Sequence, residues 1–308
     1  LNLDKNKLFS LADSIRAREK GDKVYLRGII EFSNYCRRNC LYCGLRRDNT
    51  KLSRYRMSPG EIIKRAKEIA ALGIKTVVLQ SGEDPYYRLK DLTGIVSRVK
   101  ELGVYVTLSI GELSAGAYRE LKKAGADRYL LRHETANRKL YEVLHPDGSF
   151  FNRVRCLYVL KDLGYEVGAG NMVGLPGQTD DMLWEDLLFM EKLQPEMVGI
   201  GPFIPHPDTP LAKEKGGTLE QTLTMIALTR IILPKANIPA TTALGTIHPE
   251  GRELGLKVGA NVVMPNMTPQ PYRPLYQLYP GKICVNEDPD ACLPCLKRRI
   301  EGIGRTII

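Results

Sequence analysis

Long apolar runs are missing from this chain. No stretch of roughly 18 consecutive apolar residues occurs, so none is suited to cross a membrane as a helix. The opening LNLDKNKLFS has neither the apolar block of a secretory signal nor an initiator Met, and residues upstream of it are expected. A G-x-G-x-x-G fingerprint is absent from the first strand–helix unit, which counts against an open dinucleotide-binding sheet. Lys and Arg outnumber Asp and Glu 45 to 35, giving a net charge of +10, yet no continuous basic stripe with interleaved aromatics goes with that excess. Groups such as Lys64-Arg65-Lys67 and Arg98-Lys100 fall on helical faces and predict solvated surface. An anionic substrate or an acidic partner is the weaker implication of the charge; nucleic acid is not one.

What is present suits a globular protein. Apolar content of 43% and charged content of 26% supply a core for 308 residues, enough for one large barrel or two modest domains. The seven cysteines sort as three, one and three along the chain. An odd count clustered at short spacing fits metal clusters in a reducing cytoplasm rather than a disulfide framework. The first group, Cys36-Arg37-Arg38-Asn39-Cys40-Leu41-Tyr42-Cys43, directly follows Val24 to Phe32, an apolar segment that reads as a buried strand. Three thiolates on one short loop can hold three irons of a [4Fe–4S] cubane and leave the fourth iron open to another molecule. Zinc is the competing reading. It wants four ligands in paired units, whereas no fourth cysteine follows within a hundred residues and the nearest histidine is His133.

An amphipathic helix is expected over 5–19, with Leu8, Leu11, Ala12 and Ile15 on one face, as in a lid or plug. After it the pattern becomes rhythmic. Strand-type runs fall at 24–32, 75–80, 104–109, 127–132, 166–171, 197–203, 239–243 and 261–264. Helical stretches lie near 59–72, 88–102, 114–124, 151–163, 179–193, 218–232 and 248–258. Gly73, Gly103, Gly125 and Gly164 stand after helical patterns and before strands, where helix C-terminal glycines belong. Eight strands alternating with helices predict an α/β fold, a closed (β/α)8 TIM-type barrel over 23–268. A helical segment at 1–22 precedes it and a cysteine-bearing extension at 269–308 follows. A doubly wound open sheet is the runner-up.

Barrel enzymes gather their chemistry at the carboxyl ends of the strands. There the sequence offers Gln80 to Asp84, then Thr107, Ser109 and Glu112, then Arg132-His133-Glu134-Thr135. Asn171, His206 and Asp208, Thr241 and Thr242, and Met264 follow at later strand ends. Glu83 and Asp84 could present carboxylates to an amino group. His206 and His248 read as solvated loop residues, and Gly174 to Gly177 alone is turn punctuation. Alternation sends Arg132 and Glu134 to one face and His133 to the other. Unpaired charge in a barrel interior is costly, so the inward Arg/Glu pair should bind a ligand or each other, with binding preferred. Cys156, sharing a helix face with Leu160 and Leu163, reads as a buried inert thiol; Trp184 and Leu188 read as core on a surface helix.

The tail changes character. Residues 269–280 are rich in Pro and Tyr and are expected to pack against the barrel mouth. Cys284, Cys292 and Cys295 follow at C-x7-C-x2-C spacing, which suggests a second iron–sulfur cluster, [2Fe–2S] or [4Fe–4S], with zinc a fair competitor. The polar segment Asn286 to Asp290 predicts that this site lies near the surface.

C-x3-C-x2-C with an aromatic, Tyr42, before its last cysteine resembles the signature of the radical S-adenosylmethionine (SAM) superfamily. Nearly the whole chain resembles the radical SAM maturases of FeFe hydrogenase, the HydE type. CRRNCLYCGLRRDN at 36–49, QSGEDPYY at 80–87, RHETAN at 132–137, GIGPFIPHPDTPL at 199–211 and PYRPLYQLYPGKIC at 271–284 carry that likeness. It implies that Cys36, Cys40 and Cys43 hold a [4Fe–4S] cluster whose open iron is chelated by the amine and carboxylate of SAM. It implies SAM contacts at Tyr42, Gln80, Glu134 and Arg153, with Glu134 toward the ribose and Arg153 toward the carboxylate. Arg27, Arg132, His133, Thr241, Thr242, Met264 and Tyr276 would line the substrate cavity. Cys284, Cys292 and Cys295 would hold an auxiliary cluster that members of the family do not all keep.

The implied activity is reductive cleavage of SAM to a 5′-deoxyadenosyl radical during assembly of the two-iron subcluster. Its implied substrate is a small iron complex carrying carbon monoxide, cyanide and cysteine, made by a partner maturase. Expected partners are SAM, that organometallic or cysteine-derived substrate, other hydrogenase maturases and an electron donor, for a cytoplasmic monomer. Methylornithine synthase, a carbon-skeleton mutase, also resembles the chain. Biotin synthase is set aside, because no strand candidate carries a cysteine for an inner sulfur-donating cluster. A non-catalytic iron–sulfur scaffold or carrier is the alternative from another class, and it predicts no SAM binding.

Overall fold

The computed structural model describes residues 4–285 and 289–308, with the side chains of 289–291 left aside. Of the Asn286 to Asp290 segment, expected at the surface, 286–288 fall outside the residues so described and the side chains of the other two are among those left aside. After α1 (Lys5–Lys20), β1 (Lys23–Leu26) and β2 (Gly28–Ser33) form one strand that changes partners at Arg27. Then come α2 (Pro59–Ala71), β3 (Thr76–Ser81), α3 (Leu89–Lys100), β4 (Tyr105–Ser109), α4 (Ala115–Lys123) and β5 (Arg128–Leu130). Next are α5 (Arg138–Leu144), α6 (Phe150–Asp162), β6 (Glu166–Ala169), β7 (Met172–Val173), α7 (Asp180–Leu193), β8 (Met197–Val198) and β9 (Gly201–Pro202). The described barrel ends with α8 (Leu219–Ile232), α9 (Thr242–Ile247), α10 (Gly251–Lys257) and β10 (Val262–Val263).

β2, β3, β4, β5, β6 and β8 pair in that order, all parallel. The ring continues through the single pairs Met197–Asn237 and Pro239–Val262, and returns through β10 to β1. Parallel strands joined by helices therefore run round an α/β barrel of the (β/α)8 class. Local chemistry starts and stops its helices. Ser58 and Glu61 form a capping box on α2, and Thr218 and Gln221 form another on α8. Gly73, Gly103, Gly125 and Gly164, at φ of 81°, 74°, 107° and 75°, end four helices in the left-handed turn that glycine adopts without strain. One half of the core packs β2 to β6 against α2, α3, α4 and α6; the other packs α7, α8 and α1 around β8 and β10.

Three local expectations fail for identifiable reasons. The strand at 239–243 is reduced to the Pro239 pair, because the Thr241 side chain caps Leu244 N–H and turns the chain into α9. Helix 248–258 begins only at Gly251, after the His248-Pro249 turn. Trp184 and Leu188 are not core: α7 buries Leu183, Asp186, Leu187 and Met190, and leaves that pair 46% and 51% exposed on its outer face. α1 lies along α8, and its Arg18 and Glu19 border a groove with Glu166 and Glu196 at the amino end of the strands, away from the cysteine loop. After β10 the chain is irregular except for a 3-10 turn at Arg273–Leu275. It then forms α11 (Pro289–Glu301) and β11 (Thr306–Ile307), and β11 pairs with β1. No described helix is long and apolar enough to cross a membrane.

Candidate active site

The cysteine loop leaves the carboxyl end of β2 and is clamped from several elements. Arg37 N–H donates to Glu83 O (2.9 Å), Leu41 N–H to Leu144 O (2.9 Å) and Gly44 N–H to Leu278 O (3.0 Å). Buried Asn34 accepts from Tyr55 N–H (2.7 Å) and donates to the carbonyls of Ser53 and Leu275 (2.8 Å each). The Arg54 guanidinium caps the carbonyls of Leu45, Arg46 and Asn49 at 3.0, 2.7 and 3.1 Å. Two glycines are there for close approach. A Cβ at Gly82 would stand 2.3 Å from Tyr35 O and 2.8 Å from Cys36 Cβ, and one at Gly44 would stand 2.1 Å from Gln277 O. Any side chain at either position would push the loop off its seat.

Burial pushes all three thiols up, Cys43 to about 12, and the neighbouring Cys43 and Cys36 sulfurs raise Cys40 further. Thiols that resist ionisation are poor nucleophiles but good ligands for a soft metal, because coordination replaces the proton. Among the described residues no three Cys, His, Asp or Glu side chains converge as ligands of one ion do. Three thiols presented by one clamped loop are a donor set that fits an iron–sulfur cluster.

Glutamates on the next two loops tie the cysteine loop to the barrel. Glu83 accepts from Arg37 Nε (3.0 Å), Arg38 Nε (2.7 Å) and Glu112 N–H (3.1 Å). Glu112 accepts from Arg38 Nη2 (3.0 Å), Asn152 Nδ2 (2.6 Å) and Arg153 Nε (2.6 Å). Asp84 is occupied by Arg56 Nε (2.7 Å) and the Ser33 hydroxyl (2.7 Å). Neither Glu83 nor Asp84 is left to meet a ligand's amino group, contrary to expectation. The reason is local: Glu83 pairs with Arg37 and Arg38 beside the cysteines and Asp84 pairs with Arg56, so both carboxylates are taken up by the chain's own charge.

Inside the barrel, at the carboxyl ends of its strands, a cavity of ≈ 320 Å³ opens beside the loop. Tyr42 and Cys43 stand on its wall, with Gln80, Arg132, Glu134 and Arg153 around them and Thr241, Thr242, Met264 and Tyr276 farther round. The Tyr42 hydroxyl is 2.9 Å from His145 Nε2, and His145 Nδ1 is 2.8 Å from Tyr141 O. Nδ1–H donates to that carbonyl, so Nε2 accepts from the phenol. Burial holds His145 down to about 4, so it is neutral. Arg132 Nη2 lies 3.4 Å from Glu134 Oε2, within ion-pair reach but outside hydrogen-bonding geometry. Both Arg132 Nε and Glu134 Oε2 are buried without a hydrogen-bond partner. A donor and an acceptor so left on a cavity wall fit a polar ligand between them.

Other expected residues lie elsewhere. His133 is fully buried behind the wall, with Nε2 3.4 Å from Asp186 Oδ1 and its ring 4.7 Å from that of Phe189. It does not line the cavity, because its neighbours Arg132 and Glu134 take the inward side. Arg27 is also off the cavity. Where β1 and β2 exchange partners, its guanidinium turns to Met197, and burial lowers it to about 10. Arg153 is on the wall, but Nε and Nη1 are engaged by Glu112 and Arg132 O, which limits what it can offer a carboxylate. His206 is not solvated: only 2% exposed, it packs beside Gly44 and accepts Asp208 N–H at 3.1 Å through Nδ1. Cys156 is buried on α6 with its sulfur 3.9 Å from Leu113 O.

Cys284, at φ 59°, has its sulfur 3.9 Å from Arg252 Nη2. Cys292 and Cys295 stand three residues apart on α11, and Cys295 is exposed. Sequence reasoning missed the charged pair at the far side of the cavity. Lys282 forms an ion pair with Glu31 Oε1, and Asn266 Nδ2 donates to Glu31 Oε2 at 2.9 Å. Nothing local marks that pair, since its members are 251 positions apart.

The description "Radical SAM superfamily" matches residues 30–190. The chain is 63% identical to the [FeFe] hydrogenase maturase subunit HydE of Thermotoga maritima, over 97% of this chain and 86% of that protein. It is 32% identical to a 3-methylornithine synthase of Methanosarcina acetivorans, over 83% of this chain and 73% of that one. A crystal structure of methylornithine synthase superposes over 100% of this chain and 91% of its own, with a TM-score of 0.87 at 29% identity.

Proposed function

This chain belongs to the radical SAM superfamily and, within it, to the HydE type of [FeFe] hydrogenase maturase, and from that premise we propose how its cavity is used. It is an enzyme that employs a [4Fe–4S] cluster and SAM. When bound, the cluster would supply one electron to SAM, whose sulfonium C–S bond would break to give methionine and a 5′-deoxyadenosyl radical. Cys36, Cys40 and Cys43 hold it. Tyr42 presents its ring to the bound nucleoside while its hydroxyl is anchored on neutral His145. Glu134 accepts a ribose hydroxyl with the oxygen that has no hydrogen-bond partner in the chain, and Arg132 offers its Nε–H, likewise without one, to an anionic group. Arg153 holds Glu112 and the Arg132 carbonyl and so fixes that wall. Tyr276, 2% exposed, and the tail around it keep water from the radical.

The substrate is a small cysteine-ligated iron complex carrying carbon monoxide and cyanide, received from another maturase. It sits between the nucleoside and Thr241, Thr242 and Met264. An electron donor completes the reaction, and the chain acts as a monomer. The single observation that carries this reading is the 63% identity to HydE over 97% of the chain, because it extends through the loop, the cavity wall and the tail. A maturation mixture that activates apo-hydrogenase tests it: omitting this chain should abolish hydrogen evolution and adding it back should restore it. Full activation without the chain would refute the assignment. Turnover of a metal-free amino acid by the same cavity would favour the methylornithine synthase reading, to which the TM-score of 0.87 gives a footing.

A further inference from the structure

We propose that Asp186 on α7 is a positioning residue that holds Glu134 in its cavity-facing conformation and thereby sets the affinity for SAM. The inference rests on the reading of Glu134 as a SAM contact. Glu134 is one of three described non-glycine residues with positive φ, at 66°. Thr135 N–H donates to His133 O at 2.9 Å across it, so Glu134 is the centre of a γ-turn. A γ-turn with positive φ at a side-chain-bearing residue is rare and strained, and it persists only where the surroundings over-determine it.

Asp186 supplies that constraint from outside the barrel wall. Oδ1 accepts Ala136 N–H, just past the turn, and lies 3.4 Å from His133 Nε2, just before it. Gly170 N–H donates to His133 Nδ1 at 3.3 Å, so the ring proton is on Nε2 and faces the carboxylate. Oδ2 accepts Asn171 Nδ2 at 2.9 Å. Asn171 is the strand partner of Glu134: Glu134 N–H donates to Gly170 O (3.0 Å) and Met172 N–H to Glu134 O (2.9 Å). The carboxylate thus holds, by hydrogen bonds, the far end of the strained turn and the segment it pairs with, while at the near end it stands 3.4 Å from His133 Nε2, which has no hydrogen-bond partner. Asp186, His133 and Asn171 are all fully buried, away from bulk water. An acid placed here without a binding task would be an expensive way to pack a helix, since Leu183, Leu187 and Met190 already provide the apolar contact.

The test is calorimetric binding of S-adenosylhomocysteine to the cluster-reconstituted chain, alongside KM for SAM and hydrogen exchange of the 132–137 amides. Asp186→Asn should weaken binding and raise KM roughly ten- to hundredfold. Cluster content should be unchanged and kcat at saturating SAM within about threefold, and the turn amides should exchange faster. Leu187→Ala, a cavity on the same helix, should lower the melting temperature and leave binding unchanged. His133→Phe, which keeps the packing on Phe189, carries the test if Asp186→Asn does not fold; it should weaken binding at least threefold. Wild-type affinity in the variant that folds, or an equal loss in Leu187→Ala, overturns the proposal. If the wild-type chain itself binds no S-adenosylhomocysteine, the SAM-site reading falls first and this inference with it.

Discussion

The chain carries two cysteine trios, and their surroundings have little in common. Cys36, Cys40 and Cys43 share one loop, tied by backbone bonds to Glu83, Leu144 and Leu278, and Cys43 faces a cavity whose wall holds unpaired polar atoms. Cys284 belongs to an irregular strap, while Cys292 and Cys295 ride on α11, where Cys295 is exposed. Among the described residues no charge network like that of Glu83 and Glu112 joins α11 to the cavity; its Arg299 pairs with Glu253 Oε2 at 2.9 Å. Equal numbers of thiols therefore do not make equal sites. What separates a reactive centre from an accessory one is the rigidity of the loop and the cavity it feeds.

Substitutions can break that contrast, and the strongest should fall on the first trio. Cys40→Ala should abolish 5′-deoxyadenosine formation, a loss of at least about a thousandfold, as measured by chromatography after reduction with SAM. Glu134→Gln keeps the shape and removes the charge proposed to meet the ribose. It should raise KM for SAM about tenfold, while cluster content stays at the wild-type level.

A smaller effect is set by pH. His145 is held neutral in the fold, with its pKa down to about 4 because it is buried, against an ordinary value of 6.5. Its unfolded form binds a proton that the folded form refuses, so this stability is complete above about 6.5 and is lost as pH falls toward 4. Denaturant titration of the metal-free chain should show a loss of about 2 kcal/mol between pH 7.5 and 5 that His145→Phe does not show. The smallest change belongs to the second trio: Cys292→Ala should alter 5′-deoxyadenosine formation by less than about twofold. A loss there as severe as that of Cys40→Ala would erase the distinction between the two sites.

Much of this was legible in the sequence because it is local. Strand–helix alternation and the glycines at 73, 103, 125 and 164 give the barrel, since periodicity and left-handed caps need only neighbouring residues. The cysteine loop and the Arg132/Glu134 wall are legible for the same reason. Contacts that fold topology creates are not. Glu31 meets Lys282 across 251 positions, and Glu83 turns to the arginines beside the cysteines rather than to a ligand. His133 and His206 become structural because α7 and Gly44 close over them, which no pattern around either residue announces. Trp184 and Leu188 mislead in the opposite direction, as helix-period apolar residues left on the surface.

The claim at the centre is that Cys36, Cys40 and Cys43 present a cluster with one iron free for SAM. Electron paramagnetic resonance of the anaerobically reconstituted, reduced chain, recorded with and without SAM, tests it most directly. The account predicts a [4Fe–4S]+ signal whose g-values shift when SAM is added and that is lost in Cys40→Ala but retained in Cys292→Ala. A wild-type signal indifferent to SAM would contradict it.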